Sequence, residues 1–201
     1  GLEELGETRS TEYIDIFYSN LLSGNVSIRE VCVDYFVKLL DPDVYPRMIK
    51  LLSLEDVPLR NAASEILTKT SHIAPEVITT YLWEYDDDVN KFLLDTLNDN
   101  SSLMCVDPAA CEIISQGMSS ENENIVGVVV ELLTKFGNEA IWEDLITDSL
   151  TADGWVQYSI LTSAKLHNPR VIKRFFEVVP QANISEEALI FLDIWNRGEA
   201  S

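Results

Sequence analysis

An apolar pattern that returns about every thirty residues constrains this chain more than any other feature. An aliphatic residue is followed four, seven and eight positions later by small or apolar residues. The pattern occurs as Ile28-Cys32-Tyr35-Phe36, Leu59-Ala63-Ile66-Leu67, Val89-Leu93-Thr96-Leu97 and Ile125-Val129-Leu132-Leu133. It occurs again as Val156-Ile160-Ser163-Ala164 and Ile184-Ala188-Phe191-Leu192, with steps of 31, 30, 36, 31 and 28 residues between the leading positions. These offsets stay on one face of a helix, so each occurrence predicts an amphipathic helix with one stripe to bury. A stripe that returns at this period predicts a stacked array, in which neighbouring units cover one another.

Each marked helix follows a shorter one. The first helices are expected near 11–22, 42–53, 75–85, 108–118, 139–150 and 169–178. The second helices are expected near 26–40, 57–70, 87–98, 123–136, 154–166 and 184–196. Pro75, Pro108 and Pro169 fit first helical turns, with Asp107 and Asn168 as caps. The second helices begin at polar residues suited to capping: Asn25, Asp56, Asp86 to Asp88, Asn122 to Asn124, Asp153 and Asn183. The long step coincides with Asn98-Asp99-Asn100-Ser101-Ser102, which reads as an enlarged connection. No alternating strand pattern bounded by turn dipeptides is present. The expected organisation is a flexible acidic N-terminus over 1–10, one repeat domain over 11–197 and a flexible end over 198–201.

Charge narrows the partner. Fourteen Lys and Arg against thirty-four Asp and Glu give a net charge of −20. Phosphate backbones and anionic membrane faces are bound through Lys and Arg, so the balance argues against both. A basic protein partner stays open, as does acidity that only maintains solubility. No run approaches the roughly 18 consecutive apolar residues of a membrane span, and the polar start does not read as a secretory signal. Cys32, Cys105 and Cys111 are odd in number and suit reduced thiols in a cytoplasm.

Leu59-Arg60-Asn61-Ala62-Ala63-Ser64-Glu65-Ile66-Leu67, and Ile28-Arg29 through Phe36, resemble the second helix of HEAT and HEAT-like repeats. The family pattern there is Val-Arg-x-x-Ala-x-x-Ala-Leu. The segment Gly154 to Ala164, followed by His167-Asn168-Pro169-Arg170, is similar to the compact bacterial version found in phycobilisome-lyase-type proteins. The resemblance covers residues 11 to 196. It implies an all-α fold, a right-handed α-solenoid of about six antiparallel helix pairs, whose second helices line a concave binding face. The family's arginine often links adjacent repeats; here it is present at Arg29 and Arg60, while later repeats carry Asn90, Val126, Gln157 and Ser185.

Six positions after each leading residue the side chain points away from the apolar stripe. Asp34, Glu65, Asp95 and Glu131 occupy that position in four consecutive repeats, flanked by Glu30, Asn61 and Tyr158. One reading is a carboxylate track for Lys and Arg side chains of a bound protein. The other is helix stabilisation, since Lys38, Lys69 and Lys135 follow three of these acids by four residues while Asp99 follows Asp95. Trp155, which leads its helix, is a candidate anchor at an interface, against gap-filling between layers. Ala188 to Leu192 is apolar on all sides, so Leu189, Ile190 and Trp195 are candidates for self-association or for docking under another element.

Catalytic and metal signatures are lacking. His72 and His167 fall in expected turns without a Cys or Glu at ligand spacing, and Cys105 and Cys111 do not form a Cys-x-x-Cys pair. No phosphate loop, nucleophile elbow or His-Glu-x-x-His is present. Asp86-Asp87-Asp88 lacks the Gly and distant Glu of a calcium loop. The HEAT-like hydroxylases' repeated His-Glu pairs and the HEAT-like glycosylases' basic groove are also missing. The expected function is a non-enzymatic scaffold or adaptor in a bacterial cytoplasm. It would need no catalytic residue, metal or cofactor, and would present an acidic concave surface to a basic protein partner, with a possible homodimer through the last helix. The resemblance also implies an alternative, a lyase-like or chaperone-like role in attaching a chromophore to an acceptor protein.

Overall fold

A computed structural model describes residues 10–99 and 108–199. Among these the regular structure is entirely helical. By contact density the chain divides into two compact units, Gly1–Leu103 and Met104–Ser201. No described helix is long and apolar enough to cross a membrane.

The first unit holds α1 (Ile14–Ser23), α2 (Val26–Leu39), α3 (Tyr45–Leu52), α4 (Val57–Thr70), α5 (Pro75–Thr79) and α6 (Asp87–Asp99). The second holds α7 (Pro108–Ser115), α8 (Glu123–Phe136), α9 (Glu139–Asp148), α10 (Gly154–His167), α11 (Pro169–Val178) and α12 (Glu186–Glu199). Helices pair as the spacing predicts: α1 packs on α2, α3 on α4 and α5 on α6. In the first unit α2 also lies against α4, and in the second α10 lies between α8 and α12. The pattern residues supply the buried faces. All are buried except Ile28, Ile184 and Leu192, which are half-buried.

Capping fixes the starts. Asn25 accepts from the Ile28 N–H at 3.2 Å, Asp56 from Leu59 at 3.1 Å, Asp86 from Val89 at 3.0 Å and Asn122 from Asn124 at 3.1 Å. Each occupies a donor that the first helical turn leaves open. Three expected caps differ. Asp153 and Asn168 make no capping bond, and Ser185 rather than Asn183 caps the last helix, its hydroxyl accepting from the Ala188 N–H at 3.1 Å. That shift starts α12 at Glu186, and the helix runs to Glu199. Helix α5 is much shorter than the expected span of 75–85. The β-branched run Val77 to Thr80 disfavours continuation, and Tyr81 and Leu82 bond back three residues instead of four. The N-terminal acidic segment to residue 9, Cys105, the Asp107 cap and most of the enlarged connection fall outside the described residues.

The position that holds arginine in the resembled pattern has a common task here. In three repeats its side chain reaches back to the end of the preceding first helix or to the turn after it. Arg29 Nε donates to the Leu21 carbonyl at 3.2 Å, and Gln157 Nε2 to the Ser149 carbonyl at 3.4 Å. Asn90 Nδ2 donates to the Tyr85 carbonyl at 2.9 Å while its Oδ1 accepts from the Trp83 N–H at 2.9 Å. These are carbonyls that a helix end or a turn leaves without an internal partner. Trp83 adopts φ 72, a region costly for a bulky side chain, and the Asn90 acceptor helps hold it there. Gln157 does more: it also donates to the Asn183 carbonyl at 3.1 Å and accepts from the Ser185 N–H at 2.9 Å. The unlike residues Arg, Asn and Gln thus perform one stitching function at different reach.

Candidate functional site

The offset of two and six residues from the leading position places Glu30 and Asp34 on one face of α2. The same offset places Asn61 and Glu65 on the matching face of α4. Each pair is four residues apart and therefore one above the other. Because α2 packs on α4, the two faces adjoin and enclose a groove of about 230 Å³. Its floor is Val33 and Ala62, both buried, and Val26 and Pro58 add apolar surface. Ala62 is why the groove exists: a larger side chain there would occupy the space between the helices.

Three carboxylates and one guanidinium line this space. Arg29, at its edge, is committed elsewhere, with its Nε on the Leu21 carbonyl and a terminal nitrogen 4.0 Å from the Asp56 carboxylate. Asp56 caps α4, so Arg29 links adjacent helix pairs. Lys69 Nζ sits 2.6 Å from Glu65 Oε1. The hydrogen bond to Glu65, followed by that carboxylate's charge, holds the Lys69 ammonium above the ordinary lysine range, and Asp34 across the helix pair adds to it. The groove therefore presents three carboxylates over hydrocarbon, and one of them, Glu65, is paired with Lys69 on its own helix.

The other sequence candidates are placed differently. Asp95 is half-buried on α6 and pairs with Lys91 one turn earlier at 2.6 Å, a partner the forward acid-to-lysine rule does not find. Glu131 belongs to the second unit, where His167 Nε2 of α10 lies 3.3 Å from its Oε1. His167 is thus the last residue of a helix rather than part of a turn. Trp155 is half-buried at the start of α10, and Tyr158 lies edge-on to Phe191 with centroids 6.4 Å apart. Of the eight binding candidates, Glu30, Asp34, Asn61 and Glu65 line one groove and the remaining four do not. The residues missed by pattern reading, Val26, Arg29, Val33, Pro58 and Ala62, complete it. The small residue at position 62 between two polar faces was the available signal.

On α12, Leu189 and Ile190 are 50% and 58% exposed, and Ile194 is exposed to a similar degree. Trp195 is instead engaged internally, tilted against Phe191 at 5.8 Å, with Lys165 Nζ 5.2 Å from its ring centroid. Cys32 is buried, which pushes its thiol up to about 11 and keeps it protonated at neutral pH.

No protein-family model and no curated protein matches this sequence. Among solved structures, one described as an engineered protein aligns with a TM-score of 0.47 and 14% identity. The alignment covers 90% of this chain and 57% of that one, so the present chain spans a little over half of its length.

Proposed function

We propose that this chain is a HEAT-like α-solenoid scaffold, without enzymatic activity, whose α2–α4 groove receives a basic segment of a protein partner. The observation that carries the reading is the groove's composition: Glu30, Asp34 and Glu65 stand over an apolar floor of Val33 and Ala62. A lysine or arginine suits this arrangement because it lays its methylenes on hydrocarbon and presents its charge to the carboxylates. Lys69, paired with Glu65 at 2.6 Å, is an internal example of the same attraction. A rigid pair of helices offers these groups without ordering a loop, which limits the entropic cost of association. A linear tetrapyrrole, the ligand of the lyase-like alternative, carries carboxylates of its own, and such a groove repels them.

Two readouts test the proposal. The chain, immobilised, is expected to capture basic proteins from a native lysate at low salt and release them at high salt. Replacing Glu30, Asp34 and Glu65 with their amides is expected to abolish capture while preserving the circular dichroism spectrum. The matching replacement of Asp95 and Glu131 leaves it unchanged. Equal loss in both variants would refute the groove and assign the effect to overall charge.

A further inference from the structure

The second unit contains a larger cleft that the α2–α4 groove does not explain. It opens between α7 and α9 and encloses about 510 Å³. Met118, Ile141 and Leu145 form its hydrocarbon lining, while Glu112 stands on one wall and Asp144 and Asp148 on the other. Asp144 and Asp148 are one helical turn apart on α9, which sets their Cβ atoms about 5–6 Å from each other along the cleft. No lysine, arginine or histidine lines it. In contrast to Glu65, Asp95 and Glu131, these three acids form no ion pair among the described residues.

We propose that this cleft is a binding site for a flexible aliphatic polyamine. The volume lies within the range of small-molecule sites, and the occupant is specified by two features acting together. Carboxylates on opposite walls call for several cations on one ligand, and the hydrocarbon lining calls for methylenes between those cations. A compact metal ion satisfies the first requirement and leaves the second unmet. Hard divalent cations also take several oxygen ligands at roughly 2–2.6 Å, and no group of described acidic residues converges closely enough to supply them. An extended triamine offers one ammonium to each of Glu112, Asp144 and Asp148 while its chain covers Met118, Ile141 and Leu145. This site is independent of the α2–α4 groove and of its proposed partner.

Isothermal titration of the full chain with spermidine, in moderate salt, tests the assignment. Hexaamminecobalt(III), which matches the charge of spermidine and has no hydrocarbon, serves as the competitor. Saturable spermidine binding, tighter than that of the cobalt complex by about tenfold, is expected. Asp144→Asn with Asp148→Asn is expected to weaken spermidine by about tenfold or more, as two ion pairs are lost. Both substitutions are at exposed helix positions, and unchanged thermal melts verify that the fold persists. Asp86→Asn with Asp87→Asn, on the first unit, is expected to leave spermidine affinity unchanged. Equal affinity for the two trications, no saturable binding, or equal weakening by both variant pairs would overturn the proposal.

Discussion

Replacement of Gln157 by Ala tests the stitching role of the position after each leading aliphatic residue. The side chain is 3% exposed and joins three backbone groups: the carbonyls of Ser149 and Asn183 and the N–H of Ser185. The contact to Ser149 is long at 3.4 Å and is the weakest of the three. Each of the others is worth about 1 kcal/mol, and truncating the buried stem adds a cavity term, for a total of roughly 2–4 kcal/mol. In a chain of this size that corresponds to a fall in Tm of about 4–16 °C. Gln157→Glu separates hydrogen bonding from volume. It keeps the shape but sets a carboxylate against two carbonyl oxygens, so it is expected to be worse than Ala at neutral pH and to recover as pH falls. Urea unfolding followed by circular dichroism reads both. A loss below about 1 kcal/mol for Ala, or a Glu variant as stable as the parent, would refute the reasoning.

Other expectations follow from particular side chains. Leu67→Ala and Leu133→Ala remove fully covered side chains and are each expected to cost about 2–5 kcal/mol by chemical denaturation. Asp56→Ala removes a formed cap and is expected to cost about 1 kcal/mol, whereas Asp153→Ala is expected to be near neutral. Burial raises the Cys32 thiol from 9.0 to about 11, so between those values the folded chain holds a proton that the unfolded chain has lost. Stability is therefore expected to fall as pH rises through that window, and Tyr35, Tyr45 and Tyr85, also raised chiefly by burial, act in the same direction. Melts from pH 8 to pH 11 check it, and Cys32→Ala is expected to lessen the slope.

The helices were legible because their apolar stripes repeat with the helical period, and five of six second helices begin at or within a residue of where that period places them. Local chemistry decided the exceptions. Helix α5 ends after five residues because a β-branched run and a left-handed Trp83 redirect the chain, and neither competes visibly with a hydrophobic pattern. The sixth second helix starts late, at Glu186, with Ser185 as its cap, while the Asn183 carbonyl accepts from Gln157. For the site, the offset rule found the four polar residues of the groove, since equal offsets on adjoining helices lie side by side. It also selected Asp95 and Glu131, whose partners, Lys91 and His167, come from an earlier turn and from another helix. Sequence spacing specifies which face a side chain takes; it does not specify what stands opposite. The division into two units has no clear mark in the apolar pattern beyond its single long step.

Zero-length carbodiimide coupling tests the central proposal most directly, because it joins a carboxylate only to an amine already in contact with it. Applied to the chain with its captured basic partner and read by peptide mass spectrometry, it should place partner lysines on Glu30, Asp34 and Glu65 in preference to the rest of the thirty-four acidic residues. Partner lysines spread evenly over those acids, or concentrated away from α2 and α4, would contradict the assignment of this groove as the binding site.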